Sequence, residues 1–164
     1  MRYKLLFFIL FFATNFSVNA GNLCFSTEKT VFTFATKSNK NLSICKSIDG
    51  SYLVYRFGTL NKIELQFPEK LDDTSWRQFE FSGMGRSGGK MNAGFGDYSI
   101  MFKNNNSEYT VFQEWSDEDG TYNIGVTVTN ARGKTFSING LKKSQEGSLV
   151  LLEGEGEKIP NKAE

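Results

Sequence analysis

The chain has 164 residues, 19 Lys and Arg against 18 Asp and Glu, and no histidine. A near-neutral balance with basic residues scattered singly along the chain excludes a nucleic-acid-binding surface, which needs a basic face. The absence of histidine removes the usual general base of nucleophilic catalysis, and two cysteines alone cannot complete a four-ligand zinc site.

The first twenty residues read as a secretory signal peptide. Arg2 and Lys4 precede an unbroken apolar run from Leu5 to Ala13, and Val18-Asn19-Ala20 presents small residues for cleavage before Gly21. The run is too short to span a bilayer, which takes roughly 20 apolar residues. Gly21-Asn22-Leu23 ahead of Cys24 is not a lipobox, so the expected product is periplasmic or secreted and has no stable membrane anchor after cleavage. Removing 20 of the 164 residues leaves 144, the size of one domain over residues 21–164, with 17 basic and 18 acidic residues. In an oxidising compartment an even cysteine count reads as a disulfide, here Cys24 with Cys45.

After Gly21, short runs rich in Val, Ile, Phe, Tyr and Thr recur, separated by Gly, Asn and Asp. In chain order the predicted strands are Val31 to Thr36, Leu42 to Lys46, Tyr52 to Phe57, Lys62 to Phe67, Trp76 to Phe81, Tyr98 to Lys103, Tyr109 to Trp115, Tyr122 to Thr129 and Thr135 to Ile138. Ile63, Leu65 and Phe67 alternate with Lys62, Glu64 and Gln66, and Tyr122, Ile124, Val126 and Val128 alternate with polar or small residues. Tyr52 to Phe57 is apolar on both faces except for Arg56, which calls for a carboxylate partner. Asp49-Gly50, Asn104-Asn105-Asn106, Asp119-Gly120 and Arg132-Gly133 are the expected hairpin turns. Ser148 to Leu152 suits a short helix or a last strand, and Pro160 to Glu164 reads as a frayed tail. The expected fold is all-β: a single antiparallel barrel or sandwich of about eight to ten strands.

The segment from Ser82 to Gly96 carries six glycines. Gly85-Arg86-Ser87-Gly88-Gly89 spells the Gly-x-Ser-x-Gly elbow, but no base and no following helix accompany it. Ser87-Gly88-Gly89-Lys90 spells Ser-x-x-Lys, although paired glycines disfavour the helix that would aim the lysine. Gly83-x-Gly85-x-x-Gly88 lacks the βαβ setting of a dinucleotide site, and Gly89-Lys90 lacks the remainder of a P-loop. Asp117-Glu118-Asp119-Gly120 lacks the later bidentate glutamate of a calcium loop. An enzyme is therefore not expected, nor a cofactor; catalysis without histidine would need a carboxylate pair such as Glu114 with Asp117 or Glu118.

As a structural element, the glycine segment reads as a long mobile loop or a bulged hairpin needing positive φ. As a functional one, it presents Arg86, Ser87 and Lys90 to a partner. The aromatic residues Trp76, Tyr109, Trp115 and Tyr122 are either core or the lining of a ligand groove.

At Leu42-Ser43-Ile44-Cys45-Lys46-Ser47, Tyr52 to Gly58 and Ile63 to Pro68, continuing through the glycine segment and Tyr122 to Asn130, the chain resembles a group of small, mostly uncharacterised exported bacterial β-proteins. A looser similarity is to periplasmic inhibitors of c-type lysozyme, small disulfide-bonded barrels that insert a loop with Ser-Gly and Lys-Gly elements into the enzyme's cleft. Ser82-Gly83 matches the first element, while Lys90 comes earlier than the second. That similarity implies a partner-binding segment made of Ser82, Gly83, Arg86, Ser87 and Lys90. The expected function is an exported protein that binds another exported protein, as an inhibitor of or immunity factor against a cell-wall-active enzyme. The alternatives are a small-molecule or glycan-binding module with an aromatic-lined mouth, or a structural envelope protein.

Overall fold

The structure is a computed structural model, and it describes residues 21–160. The proposed signal segment 1–20 and residues 161–164 of the proposed tail lie outside the described residues. Ten strands form two antiparallel sheets. The first contains β1 (Glu28–Ala35), β2 (Asn41–Ser47), β3 (Leu53–Thr59), β4 (Lys62–Phe67) and the two-residue β10 (Glu146–Gly147), in the order β10-β1-β2-β3-β4. The second contains β5 (Glu80–Arg86), β6 (Phe95–Asn104), β7 (Ser107–Ser116), β8 (Thr121–Thr129) and β9 (Thr135–Asn139), paired consecutively.

The fold is therefore all-β and sandwich-like, and of the two expected architectures the closed barrel does not form. On one side the sheets are joined by the Thr36–Gly140 bridge and by the Leu141 amide, which donates to the Ala35 carbonyl at 2.8 Å. On the other side no ladder pairs β4 with β5 among the described residues. That side is filled by side chains. Trp76 sits buried in a 3-10 turn, Ser75–Gln78, with its indole N–H donating to the Gly50 carbonyl at 3.1 Å, and Phe79 beside it is fully buried. Ile159 is buried too, and the Pro160 carbonyl accepts from the Phe81 amide at 3.0 Å. Pro160, expected in a frayed tail, is thus tied to β5 by its carbonyl, the one hydrogen-bonding group that proline keeps.

Turn chemistry follows the sequence. Asn105 and Asn106 both have positive φ between the paired residues Asn104 and Ser107, the two-residue loop whose twist suits a hairpin. Gly50, Gly120 and Gly133 likewise take positive φ in the expected turns. Ser148 to Leu152 resolves as the start of a 3-10 helix, Leu149–Glu155, because Leu149 and Leu152, three residues apart, fall on one face and are both buried. The strand expected at Trp76 to Phe81 begins only at Glu80. It runs on to Arg86, inside the glycine segment.

The unbroken apolar character of β3 has its cause in a strap. Leu53 and Tyr55 face the central core, whereas Val54 and Arg56 face outward and are covered by the N-terminal segment 21–27. The Leu23 amide donates to Ser43 Oγ at 3.0 Å, and Cys24 is bonded to Cys45 with a Cα–Cα distance of 5.6 Å. The carboxylate that Arg56 requires is Glu28. Arg56 Nη1 and Nη2 donate to its two oxygens at 2.6 and 2.8 Å, Nε donates to Gln66 Oε1 at 2.8 Å, and the Phe25 ring lies 4.0 Å from the guanidinium carbon. Both charged side chains are wholly buried. Each guanidinium nitrogen and both carboxylate oxygens find a partner, the condition under which a buried charge is tolerated.

Candidate functional site

Strands enter the glycine segment from both ends, β5 up to Arg86 and β6 from Phe95. Ser82 pairs with Ser99, Gly83 with Tyr98 and Gly85 with Gly96. None of its six glycines takes positive φ, which corrects the expectation of a bulged hairpin needing positive φ. Three of them are seats for aromatic rings. A Cβ on Gly83 would lie 2.8 Å from the Phe81 and Tyr98 rings, one on Gly85 would lie 2.5 Å from the Tyr98 hydroxyl, and one on Gly96 would lie 2.1 Å from the Trp115 ring. The loop proper is confined to residues 87–94, and it closes through the Gly89 amide donating to the Asn92 carbonyl at 2.8 Å.

These seats order a row of rings across four strands on the inner face of the second sheet. Phe81 to Tyr98 is 6.4 Å between centroids, Tyr98 to Trp115 is 5.5 Å with planes 13° apart, and Trp115 to Tyr122 is 6.2 Å with planes 22° apart. Cross-strand aromatic neighbours of this kind stabilise a sheet as well as one another. The row is also anchored by hydrogen bonds. Gln113 Nε2 donates to the Tyr122 hydroxyl at 2.9 Å, and that hydroxyl donates to Gln145 Oε1 at 2.8 Å. The buried Gln113 also accepts from Ser148 Oγ at 3.0 Å and from the Leu149 amide at 2.8 Å, which locks the C-terminal 3-10 helix onto the row. Burial, and then the neighbouring Glu153 carboxylate of that helix, push the Tyr98 phenol above its ordinary value.

A cleft of about 540 Å3 opens at this end of the sheet. Its walls are the hairpin residues Arg86, Ser87 and Gly88, Trp115 of β7 and Asp117 just after it, and Val150 and Glu153 of the 3-10 helix, with Tyr98 also lining it. The acidic turn after β7 is fastened to the hairpin. The Asp117 amide donates to the Gly94 carbonyl at 2.9 Å, and the Gly94 amide donates back to Asp117 Oδ2 at 3.2 Å. Arg86 is occupied within its own hairpin: Nε donates to the Ala93 carbonyl at 3.1 Å, and the guanidinium lies 5.3 Å from the Phe95 ring centre.

The structure therefore unites parts of both predicted residue sets. Arg86 and Ser87 meet Trp115 in one cleft, and Tyr122 extends the row beside it. Lys90 is exposed in the loop and does not line the cleft, Ser82 is exposed on the strand, and Gly83 is the seat of Tyr98. Trp76 and Tyr109 do not line this cleft. Trp76 is buried in the core and borders a separate depression of about 210 Å3 with Gly50 and Lys158, and the partly buried Tyr109 stacks on Phe102 at 4.8 Å near Tyr55. Tyr98 and Glu153 were not anticipated as site residues, and Asp117 was anticipated only as one member of a carboxylate pair. Tyr98 carried a signal in its position two residues after Gly96, on the same side of the strand; Glu153 reaches the cleft only through the fold.

A direct check of the seating is Gly96→Ala. Overpacking there is expected to cost ~1–3 kcal/mol in thermal or urea unfolding and to change the near-ultraviolet circular dichroism of Trp115, while Gly89→Ala, with nothing within 4 Å of its added carbon, changes neither. No protein-family model, curated protein or solved structure matches this chain.

Proposed function

We propose that this chain is an exported glycan-binding module whose site is the cleft at the end of the second sheet. The observation that carries the reading is the row Tyr98–Trp115–Tyr122, held nearly parallel on glycine seats, beside a cleft framed by both donors and acceptors. A sugar ring presents apolar C–H faces together with a rim of hydroxyls. Aromatic surface with a few fixed polar groups is the lining that recognises such a ligand, and rings already locked in place lose little further freedom on binding. Arg86 and Ser87 supply donors, and Asp117 and Glu153 supply acceptors. The Cys24–Cys45 bond is the kind that persists in an oxidising compartment, which supports export. No helix among the described residues is long and apolar enough to cross a membrane.

A second reading is that the hairpin engages an exported protein, such as a cell-wall-active enzyme, which would then be inhibited. Its support is the exposure of the hairpin: Met84 and Met91 are 64% and 92% exposed, next to Arg86, Ser87 and Lys90. Titrating purified protein with soluble oligosaccharides of cell-envelope polymers while following tryptophan fluorescence decides between the two. Glycan binding is expected to perturb the emission and to weaken at least tenfold, ~1.4 kcal/mol, in Trp115→Phe. No response to any saccharide, together with capture of an exported protein by a photo-crosslinking residue at Lys90 in living cells, would establish the second reading instead.

A further inference from the structure

The cleft has a charge asymmetry that narrows its ligand. Two carboxylates, Asp117 and Glu153, line the cleft from different elements and both residues are exposed, while the one cation of the lining, Arg86, donates to its own hairpin and lies against Phe95. Asp117 receives a single amide hydrogen from Gly94, and Glu153 lies beside the Tyr98 phenol. A carboxylate has about four lone-pair sites, so each retains acceptor capacity toward the cleft. The aromatic row beside them already receives an ammonium group: Lys142 Nζ lies 4.1 Å from the Tyr122 ring centre, next in the row to Trp115. A cation over an aromatic face is attracted by the ring quadrupole, and an adjacent carboxylate adds a charge-assisted hydrogen bond.

Resting on the glycan reading, we propose that the cleft selects saccharides bearing a free amino group, the ammonium seated between Trp115, Asp117 and Glu153. An N-acetylated sugar of the same ring structure offers an amide in place of the cation. It satisfies one carboxylate at most through a neutral hydrogen bond and leaves the other without a countercharge.

The test compares tetrasaccharides of β-1,4-linked glucosamine and of β-1,4-linked N-acetylglucosamine by isothermal titration calorimetry at pH 6, where the amine is protonated. The expected result is at least tenfold tighter binding of the glucosamine oligomer, with Asp117→Asn and Glu153→Gln each reducing that ratio at least threefold. Both positions are at the surface, and an unchanged far-ultraviolet spectrum confirms folding of the variants. Equal binding of the two oligomers, or a ratio unmoved by both substitutions, overturns the inference and leaves the glycan reading standing. Binding of neither oligomer or of any other saccharide removes the glycan reading itself. Binding of a lysine-containing tetrapeptide but not of glucosamine also overturns the inference, and it transfers the cation preference to a protein ligand.

Discussion

Glu28→Ala is expected to destabilise the protein by ~3–5 kcal/mol, the cost of leaving a buried guanidinium without its countercharge. Arg56 and Glu28 are wholly buried in a two-pronged pair, and removal of the carboxylate strands Arg56 beneath the strap with only Gln66, the Leu23 carbonyl and the Phe25 ring near it. The same change frees two further donors, the Phe25 amide and the Tyr52 hydroxyl. The double variant Glu28→Leu with Arg56→Met is expected to lose much less than the single one, because an apolar pair leaves no buried charge. Urea unfolding of wild type, both single variants and the double variant measures the difference as a cycle. A Glu28→Ala midpoint within error of wild type would show that the strap opens at little cost.

The pair also sets a pH dependence. Burial by itself raises the Glu28 carboxyl, but hydrogen bonds from Arg56, the Phe25 amide and Tyr52, with the Arg56 charge, outweigh it, and the net position lies below the ordinary value. A depressed carboxyl contributes stability that is present above its unfolded-state pKa and is lost as pH falls through the folded-state value. The unfolding free energy of wild type should therefore decline below about pH 4, near the ordinary pKa of an exposed glutamate. In Glu28→Gln this decline is shallower.

Reduction of Cys24–Cys45, or its replacement by two serines, is the second large effect, at roughly 3 kcal/mol from the entropy of closing a loop of this length. The two cysteines are 21 residues apart in sequence, and the bond holds the strap over Val54 and Arg56. Because the disulfide and the ion pair fasten the same segment, their losses should not add. Once the strap is released, water reaches Arg56 and the penalty for an unpaired charge falls. The expected measurement is a Glu28→Ala cost at least 1 kcal/mol smaller in the serine background than in the oxidised protein, which is a coupling of ordinary size for residues that share partners. Equal costs in both backgrounds would mean that the strap stays closed without its covalent bond.

These effects concern scaffold stability rather than the cleft. The strap covers the outer face of the first sheet, and the cleft lies at the end of the second. Loosening the strap should lower the melting temperature while leaving the tryptophan environment intact until unfolding begins.

The local parts of this molecule are written locally. Alternation in β4 and β8 and the Gly and Asn turns between runs are properties of a few adjacent residues, so their positions follow from side-chain period and from left-handed backbone preference. With just two cysteines, their pairing needed no choice among partners. Arg56 announced its need of a carboxylate, but the identity of that carboxylate depended on the strap crossing β3, which brings residues 28 positions apart into contact.

The glycine segment shows most plainly what local reading cannot decide. A glycine admits positive φ and equally admits a ring in the space of its missing Cβ, and those two uses have the same spelling. Only the registers Gly83–Tyr98 and Gly96–Trp115 select the second. The same holds for the aromatics: Trp76 and Trp115 are alike in sequence, yet one is enclosed on the unpaired side of the sandwich and the other borders a cleft. The sequence by itself determined most of the strands, the turns and the cysteine pair, because each rests on neighbours or on a count, whereas the 3-10 turn at Ser75–Gln78 and the short β10 did not follow from it. Whether the sheets close, which rings meet, and that Glu153 and Asp117 line one cleft were decided by tertiary structure, since burial and ring contact are properties of the packed surfaces on which distant segments converge.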